Sequence, residues 1–142
     1  MSGFAADAQA ESQAHAKIVE ANLALRDKKP REAVRLLKEA NTSSDSWIGH
    51  FDLGRAYLED GQFAQADSEF DECVRRRGEA LTLFADNQPT FGYFPYIYYY
   101  QGRAREGLQT VGYAESYRRY LEIRATPGED PLLSDVRRRA GL

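Results

Sequence analysis

Residues 53–70 read LGRAYLEDGQFAQADSEF, and this stretch decides the fold. Its apolar residues recur at steps of three and four, which is the period of an amphipathic α-helix. The pattern is broken at Asp60-Gly61, a pair typical of a helix end. The stretch therefore predicts one helix that leads up to Leu58 and a second helix that begins near Phe63.

Small and apolar residues of this stretch repeat elsewhere in the chain. The GRA triplet at residues 54–56 recurs 48 positions later, at residues 102–104. Four further positions are matched 33 residues earlier: Ala21, Ala33, Leu37 and Ala40 correspond to Gly54, Ala66, Phe70 and Cys73. A period of this length is typical of stacked helix pairs, because each pair buries its apolar face against its neighbours.

This repetition predicts an all-α fold in a single domain over residues 1–142. The aromatic run at residues 93–100 has strand propensity, but it leads into Gly102 in repeat register and is therefore predicted to be helical. The parts of the domain are expected to be helix pairs at about residues 14–44, 45–78 and 94–125, an inserted loop at about 79–93, and a capping helix at about 130–140.

Individual residues fix some helix ends and helix contacts. Pro30 is expected in the first turn of a helix, where a missing N–H is tolerated. Ser44-Asp45 offers an N-cap for the next helix. Gly54 and Gly102 are expected where paired helices approach closely, since a longer side chain would hold them apart.

The composition argues against several classes of protein. The chain has 142 residues, a formal net charge of −3 and a sequence pI of about 5.5, so nucleic acid is not an expected partner despite the arginine triplets at 75–77 and 137–139. It has no apolar run of the roughly 18 residues that cross a bilayer, which argues against a membrane role. Residues 1–13 lack the basic start and apolar core of a signal peptide, so we expect a cytoplasmic location.

No residue pattern indicates catalysis or a cofactor. Cys73 is the single cysteine, so neither an intrachain disulfide nor a Cys/His zinc site is expected, and its repeat position predicts an inert core thiol. His15 and His50 stand in no recognisable nucleophile or paired-carboxylate motif, which favours surface or packing roles. We predict a protein that is not an enzyme and that has no metal site and no cofactor.

The spacing of Leu53-Gly54, Tyr57, Ala66 and Phe70 resembles the signature of the tetratricopeptide-repeat (TPR) family. The resemblance implies a right-handed superhelical stack of three TPR-like helix pairs, closed by the C-terminal capping helix. The first unit matches the signature only in its second helix.

The third unit departs from the signature at Gln101, which replaces the Leu, and at Arg105, which replaces the Tyr. The C-terminal half, including residues 98–108 and 117–121, also resembles repeat tails of multidomain bacterial signalling proteins. This implies a sensing or docking tail without kinase activity, because no Gly-rich loop or catalytic loop is present in the sequence.

In the TPR family the first helix of each pair lines a concave groove, and the resemblance places Asn22, Phe51, Arg55, Tyr99 and Arg103 there. Two guanidinium groups would favour an acidic or C-terminal carboxylate ligand, and the two aromatic rings would form an apolar wall. The alternative is that both arginines pair with acidic residues of adjacent helices and hold the stack together.

These expectations predict a protein–protein interaction scaffold that binds a peptide or protein, with an acidic one favoured. Chaperone tails are disfavoured, because Ile18, Tyr96 and Tyr100 replace cations of the clamp that some family members use. The second hypothesis is self-association as a homodimer through exposed tyrosines and Trp47. Whether the rings at 93–100 face a groove or are covered by the inserted loop stays open at this point.

Overall fold

The computed structural model of the chain describes residues 2–79, 93–110, 112–123 and 132–141. Its helices are α1 Ser2–Arg26, α2 Pro30–Ser43, α3 Trp47–Glu59, α4 Phe63–Arg75, α5 Tyr93–Gly107, α6 Tyr113–Ile123 and α7 Leu133–Arg139. These ranges contain no β-strand. The prediction of an all-α fold is confirmed, and so is the helical state of the aromatic run, which forms the first part of α5.

The helices pack in sequential antiparallel pairs. The pairs are α1 with α2, α3 with α4, and α5 with α6, and α2 packs on α3 and α4 on α5. Helix α7 packs on α6, at the place where a capping helix was predicted. Most of the predicted inserted loop, residues 80–92, lies outside the described residues.

Two glycines allow the close approach that the repeat predicts. A Cβ added at Gly54 would lie 2.5 Å from Cε1 of Phe70, and a Cβ added at Gly102 would lie 2.5 Å from Cε1 of Tyr117. The rings of α4 and α6 therefore rest directly on the backbones of α3 and α5. The second and third units use the same contact, which explains why both glycines keep their repeat positions.

The helix ends follow the sequence in two places and differ in a third. Pro30 begins α2, and Gly61 ends α3 with a positive φ of 77°. The predicted N-cap at Ser44-Asp45 is wrong: the Oγ of Ser46 accepts the backbone N–H of Gly49 at 3.1 Å. Ser44 instead ends α2, because its own backbone N–H bonds back to the carbonyl of Ala40.

The interior holds two connected apolar clusters. The larger one runs from α1 to α5, and its largest fully buried side chains include Trp47, Phe51, Leu37 and Phe70. Since Trp47 is buried and its Nε1 donates to the carbonyl of Cys73 at 2.9 Å, it does not offer the exposed surface on which the self-association hypothesis drew. Cys73 is also buried, as predicted, and burial raises the pKa of its thiol.

The second cluster lies between α5, α6 and α7. It contains the buried side chains Tyr98, Tyr99, Tyr117, Tyr120 and Val136. Residues of α6 and α7 thus cover part of the aromatic run, while Tyr96 and Tyr100 are half-buried. The question about these rings is therefore answered for residues 96–100 by packing between helices.

Candidate functional site

Arg55 lies in a polar cluster that joins α3 to α1. Its Nη1 donates to Oδ1 of Asp52 at 3.1 Å and to Oδ1 of Asn22 at 3.3 Å. Nδ2 of Asn22 donates to the second oxygen of Asp52 at 2.9 Å. Only 4% of Asp52 is exposed, and this burial raises the pKa of its carboxyl, while the hydrogen bond from Asn22 and the charge of Arg55 act to lower it.

This geometry favours the alternative reading of Arg55, in which it holds the stack together. Both Arg55 and Asn22 bind a carboxylate that the protein itself supplies, and the guanidinium also lies 5.7 Å from the centroid of the Tyr100 ring. Sequence reasoning missed Asp52. Its signal was the three-residue step to Arg55 on the same helix, a spacing at which side chains meet.

Phe51 does not form an open groove wall, as the resemblance had implied. Its ring is 1% exposed, stacks on Trp47 at a centroid distance of 5.5 Å and meets the edge of Tyr100 at 5.6 Å. The ring belongs to the core, so a ligand would reach it only if the core opened.

Tyr99 and Arg103 lie on α5, one turn apart. The hydroxyl of Tyr99 donates to Oδ2 of Asp135 in α7 at 3.0 Å, and Nη1 of Arg103 donates to the same hydroxyl at 3.1 Å. The ring of Tyr99 is buried against Tyr117 and Tyr120. Arg103 is only half-buried and makes no ion pair with a carboxylate in the described part of the chain.

Arg103 lines an open depression of about 200 Å³ between α3, α4, α5 and α7. Its other lining residues are Leu58, Phe63, Glu106, Gly107 and Arg139. Burial would raise the pKa of Glu106, but hydrogen bonds from Tyr117 at 2.6 Å and Arg139 at 2.7 Å outweigh it and lower that pKa. Glu106 forms an ion pair with Arg139, and the positive charge of Arg103 also acts to lower the pKa of Glu106.

The third unit departs from the TPR signature at Gln101 and Arg105, and both side chains donate hydrogen bonds to carboxylates of α4. Gln101 is buried and its Nε2 donates to Oδ1 of Asp71 at 2.7 Å. Arg105 donates through Nε to Asp67 at 3.0 Å and through Nη1 to Ser116 at 3.2 Å. Polar residues stand here because α4 presents carboxylates to α5, and the contacts fix the third unit on the second.

His50 lies in a cluster that sequence reasoning did not find. Its Nδ1 lies 2.5 Å from Oε2 of Glu69 in α4, and its Nε2 lies 2.5 Å from Oδ1 of Asp45 in the turn before α3. Asp45 also accepts a hydrogen bond from Arg76 at 2.7 Å. The two ring nitrogens bond carboxylates of different segments, so the histidine links α4 to the turn before α3.

The His50 cluster makes stability depend on pH. The hydrogen bond from the His50 ring to the Glu69 carboxylate is the largest cause that raises the pKa of His50 above its ordinary 6.5, and burial acts against it. A raised pKa in the folded state adds stability below pH 6.5 that is lost as the pH rises through the folded pKa. We expect the free energy of unfolding to fall over that range in the wild type.

The measurement is chemical denaturation of the wild type and of His50→Gln at several pH values. The variant keeps a polar side chain but cannot gain a proton, so its profile should be flatter above pH 6.5. Parallel profiles for the two proteins would contradict the assignment.

The described residues were also searched for a membrane-spanning helix and for a cluster of metal ligands. No described helix is long and apolar enough to cross a membrane. Within the ranges that the structure describes, no three His, Cys, Asp or Glu side chains are grouped so that they could hold a metal ion. His15, the second histidine, is exposed on α1.

Comparison of the chain with protein-family models, with curated proteins and with solved structures found no match. The likeness to TPR proteins is therefore a resemblance of sequence pattern, together with the sequential pairing of the helices.

Proposed function

We propose that the protein is a non-enzymatic scaffold that binds an acidic peptide, or the C-terminal carboxylate of a partner protein, at the Arg103 depression. The proposal includes the finer description of the fold, a right-handed superhelical stack of three TPR-like helix pairs with α7 as its cap. Gly54 and Gly102 support that description, because they make the same ring contact in successive units.

The observation that carries the proposal is the contrast between Arg55 and Arg103. They occupy equivalent positions of two units, but Arg55 donates to Asp52 and Asn22, whereas Arg103 donates to the hydroxyl of Tyr99 and lies over the ring of that residue. A guanidinium group has five N–H donors, so Arg103 retains donors for a carboxylate.

The surroundings of Arg103 suit a peptide better than a small polar ion. Leu58 and Phe63 give the depression an apolar side, and Arg139 adds a second guanidinium next to Glu106. An anchor of this kind combines one charge-assisted contact with apolar area, which is the usual composition of a peptide-binding hot spot. The resemblance to repeat tails of bacterial signalling proteins agrees with such a docking role in the cytoplasm.

The test uses fluorescein-labelled hexapeptides that end in Leu-Glu, with a free or an amidated C-terminus, in anisotropy titrations. We expect Arg103→Ala to weaken binding of the free-carboxylate peptide at least tenfold, about 1.4 kcal/mol, with little change in the free energy of unfolding. Arg118→Ala is the matched control, since Arg118 is exposed on α6 and does not line the depression.

Arg55→Ala is expected to behave in the opposite way. It leaves Asp52 buried without its guanidinium partner, which should cost about 1–3 kcal/mol of unfolding free energy and affect peptide affinity little. Failure of the peptides to bind, or equal affinity of wild type and Arg103→Ala, would count against the Arg103 site.

A further inference from the structure

Phe63, at the start of α4, gives the Arg103 depression an apolar side. Its ring rests on the backbone of α5, because a Cβ added at Gly107 would lie 2.5 Å from Cδ1 of that ring. The Phe63 side chain is only half-buried there, and Leu58 lines the same depression. Apolar surface that stays partly in water gains free energy when a ligand covers it.

The guanidinium group of Arg103 is oriented before any ligand arrives. Its Nη1 donates to the hydroxyl of Tyr99 at 3.1 Å, and its Cζ lies 5.8 Å from the centroid of the same ring. That hydroxyl is itself bonded to Asp135. A donor that is already held loses less conformational entropy on binding, so it favours a carboxylate at a defined position.

The size of the depression limits how many groups of a ligand can enter. Its volume of about 200 Å³ is smaller than the roughly 300–1,000 Å³ of pockets that take up a whole small molecule. At the last residue of a protein, the α-carboxylate and the side chain branch from the same Cα. One C-terminal residue can therefore meet the guanidinium and the apolar side together, whereas an internal acidic residue would need a second residue for the apolar side.

The depression also holds a carboxylate of its own at its wall. Oε2 of Glu106 accepts hydrogen bonds from the Tyr117 hydroxyl at 2.6 Å and from Nη1 of Arg139 at 2.7 Å. Burial acts to raise the pKa of Glu106, but these bonds lower it, so the group is charged at neutral pH. Glu106 lies three residues after Arg103 on α5, a spacing at which side chains are neighbours. An acidic side chain next to a carboxylate bound at Arg103 would therefore be repelled.

We propose that the depression binds the last residue of a partner protein, that this residue is large and apolar, and that Glu106 is the specificity-determining residue that rejects an acidic one. The α-carboxylate of the ligand pairs with Arg103, and its last side chain packs on Leu58 and Phe63. The inference rests on the proposed function and narrows its ligand from any acidic peptide to a chain that ends in a residue such as Leu.

The first test compares hexapeptides of equal composition that end in Glu-Leu or in Leu-Glu, by anisotropy titration of the full chain. We expect the peptide with Leu last to bind the wild type at least about tenfold more tightly, and amidation of its C-terminus to remove this advantage. Glu106→Gln keeps an acceptor for Tyr117 and Arg139 but removes the charge, so it should reduce the preference at least about threefold. Glu115→Gln is the matched control, because it removes the same charge from an exposed position of α6 outside the depression.

The second test changes the apolar side. Gly107→Ala places a methyl group where the Phe63 ring lies, so the ring has to move. We expect this variant to weaken binding of the peptide with Leu last at least about threefold and to affect the peptide with Glu last less. Gly112→Ala is the matched control, because a Cβ at Gly112 would have no neighbour within 4 Å. Circular dichroism verifies that each variant stays helical.

The outcomes separate this inference from the proposed function. Equal affinity of the wild type for the two peptides, equal affinity for the amidated and free forms, or an unchanged preference in Glu106→Gln would overturn the inference. Unchanged binding of the peptide with Leu last by Gly107→Ala would overturn it as well. The Arg103 site would still stand in each case if Arg103→Ala weakens binding. Absence of binding for both peptides would overturn the proposed function and this inference together.

Discussion

Phe70→Ala is expected to lower the free energy of unfolding by about 3–5 kcal/mol. The Phe70 ring is fully buried between α3 and the aromatic residues of α5. It rests on the backbone of Gly54, stacks on Tyr100 at a centroid distance of 6.0 Å and lies 6.3 Å from Phe51. Its removal leaves a cavity that rigid helix backbones on either side cannot close.

Equilibrium denaturation in urea measures this loss. Val19→Ala is the matched control, because Val19 is an apolar residue of α1 that is 61% exposed, and its truncation should change stability by less than about 0.5 kcal/mol. A loss of only a few tenths of a kcal/mol for Phe70→Ala would show that the second and third units do not meet at this ring.

Deletion of residues 130–142 is expected to have the second large effect. The deletion removes α7, whose Val136 is fully buried among Tyr98, Tyr99, Tyr117 and Tyr120. It also removes Leu132 and Leu133, which are half-buried against the same cluster. Burial of this apolar surface contributes about 3 kcal/mol. The deletion also exposes Tyr99 and Tyr117, so we expect both lower stability and concentration-dependent association.

A point variant separates the packing of α7 from the length of the chain. Val136→Asp places a carboxylate among buried rings and should destabilise the protein by about as much as the deletion. Ser134→Asp, at an exposed position of the same helix, should have little effect. Equal stability of wild type, deletion and Val136→Asp would refute the role of α7 as a cap.

Ion pairs and hydrogen bonds made by α7 add to this packing. Asp135 accepts hydrogen bonds from Tyr99 and from Arg139, and Arg139 also reaches Glu106 at 2.7 Å. Burial would raise the pKa of Asp135, but hydrogen bonds from Arg139, Arg138 and Tyr99 outweigh it and lower that pKa to about 2. Helix α7 is thus bonded to α5 at Tyr99 and Glu106, on either side of Arg103 in the sequence, so its loss should also affect the proposed binding site.

The sequence by itself determined the helix pairs and their contacts at the two glycines. Apolar periodicity and helix-ending residues such as Gly61 act within a few residues of the chain, so they can be read without knowledge of the fold. The equivalence of Gly54 with Gly102 also held, because each glycine is followed, 16 and 15 residues later, by an aromatic residue of the next helix whose ring rests on it.

Only the tertiary structure decided what the predicted site residues do. Phe51 and Tyr99 are buried because neighbouring helix pairs cover them, and no local pattern records that. Arg55 and Arg103 share a repeat position, yet α1 and Asp52 enclose the first, while the position equivalent to Asp52 holds Tyr100, so the carboxylate that pairs with Arg55 has no counterpart at that position beside Arg103. Contacts between residues far apart in the chain set burial and charge pairing, and these two quantities decide which side chain can meet a partner.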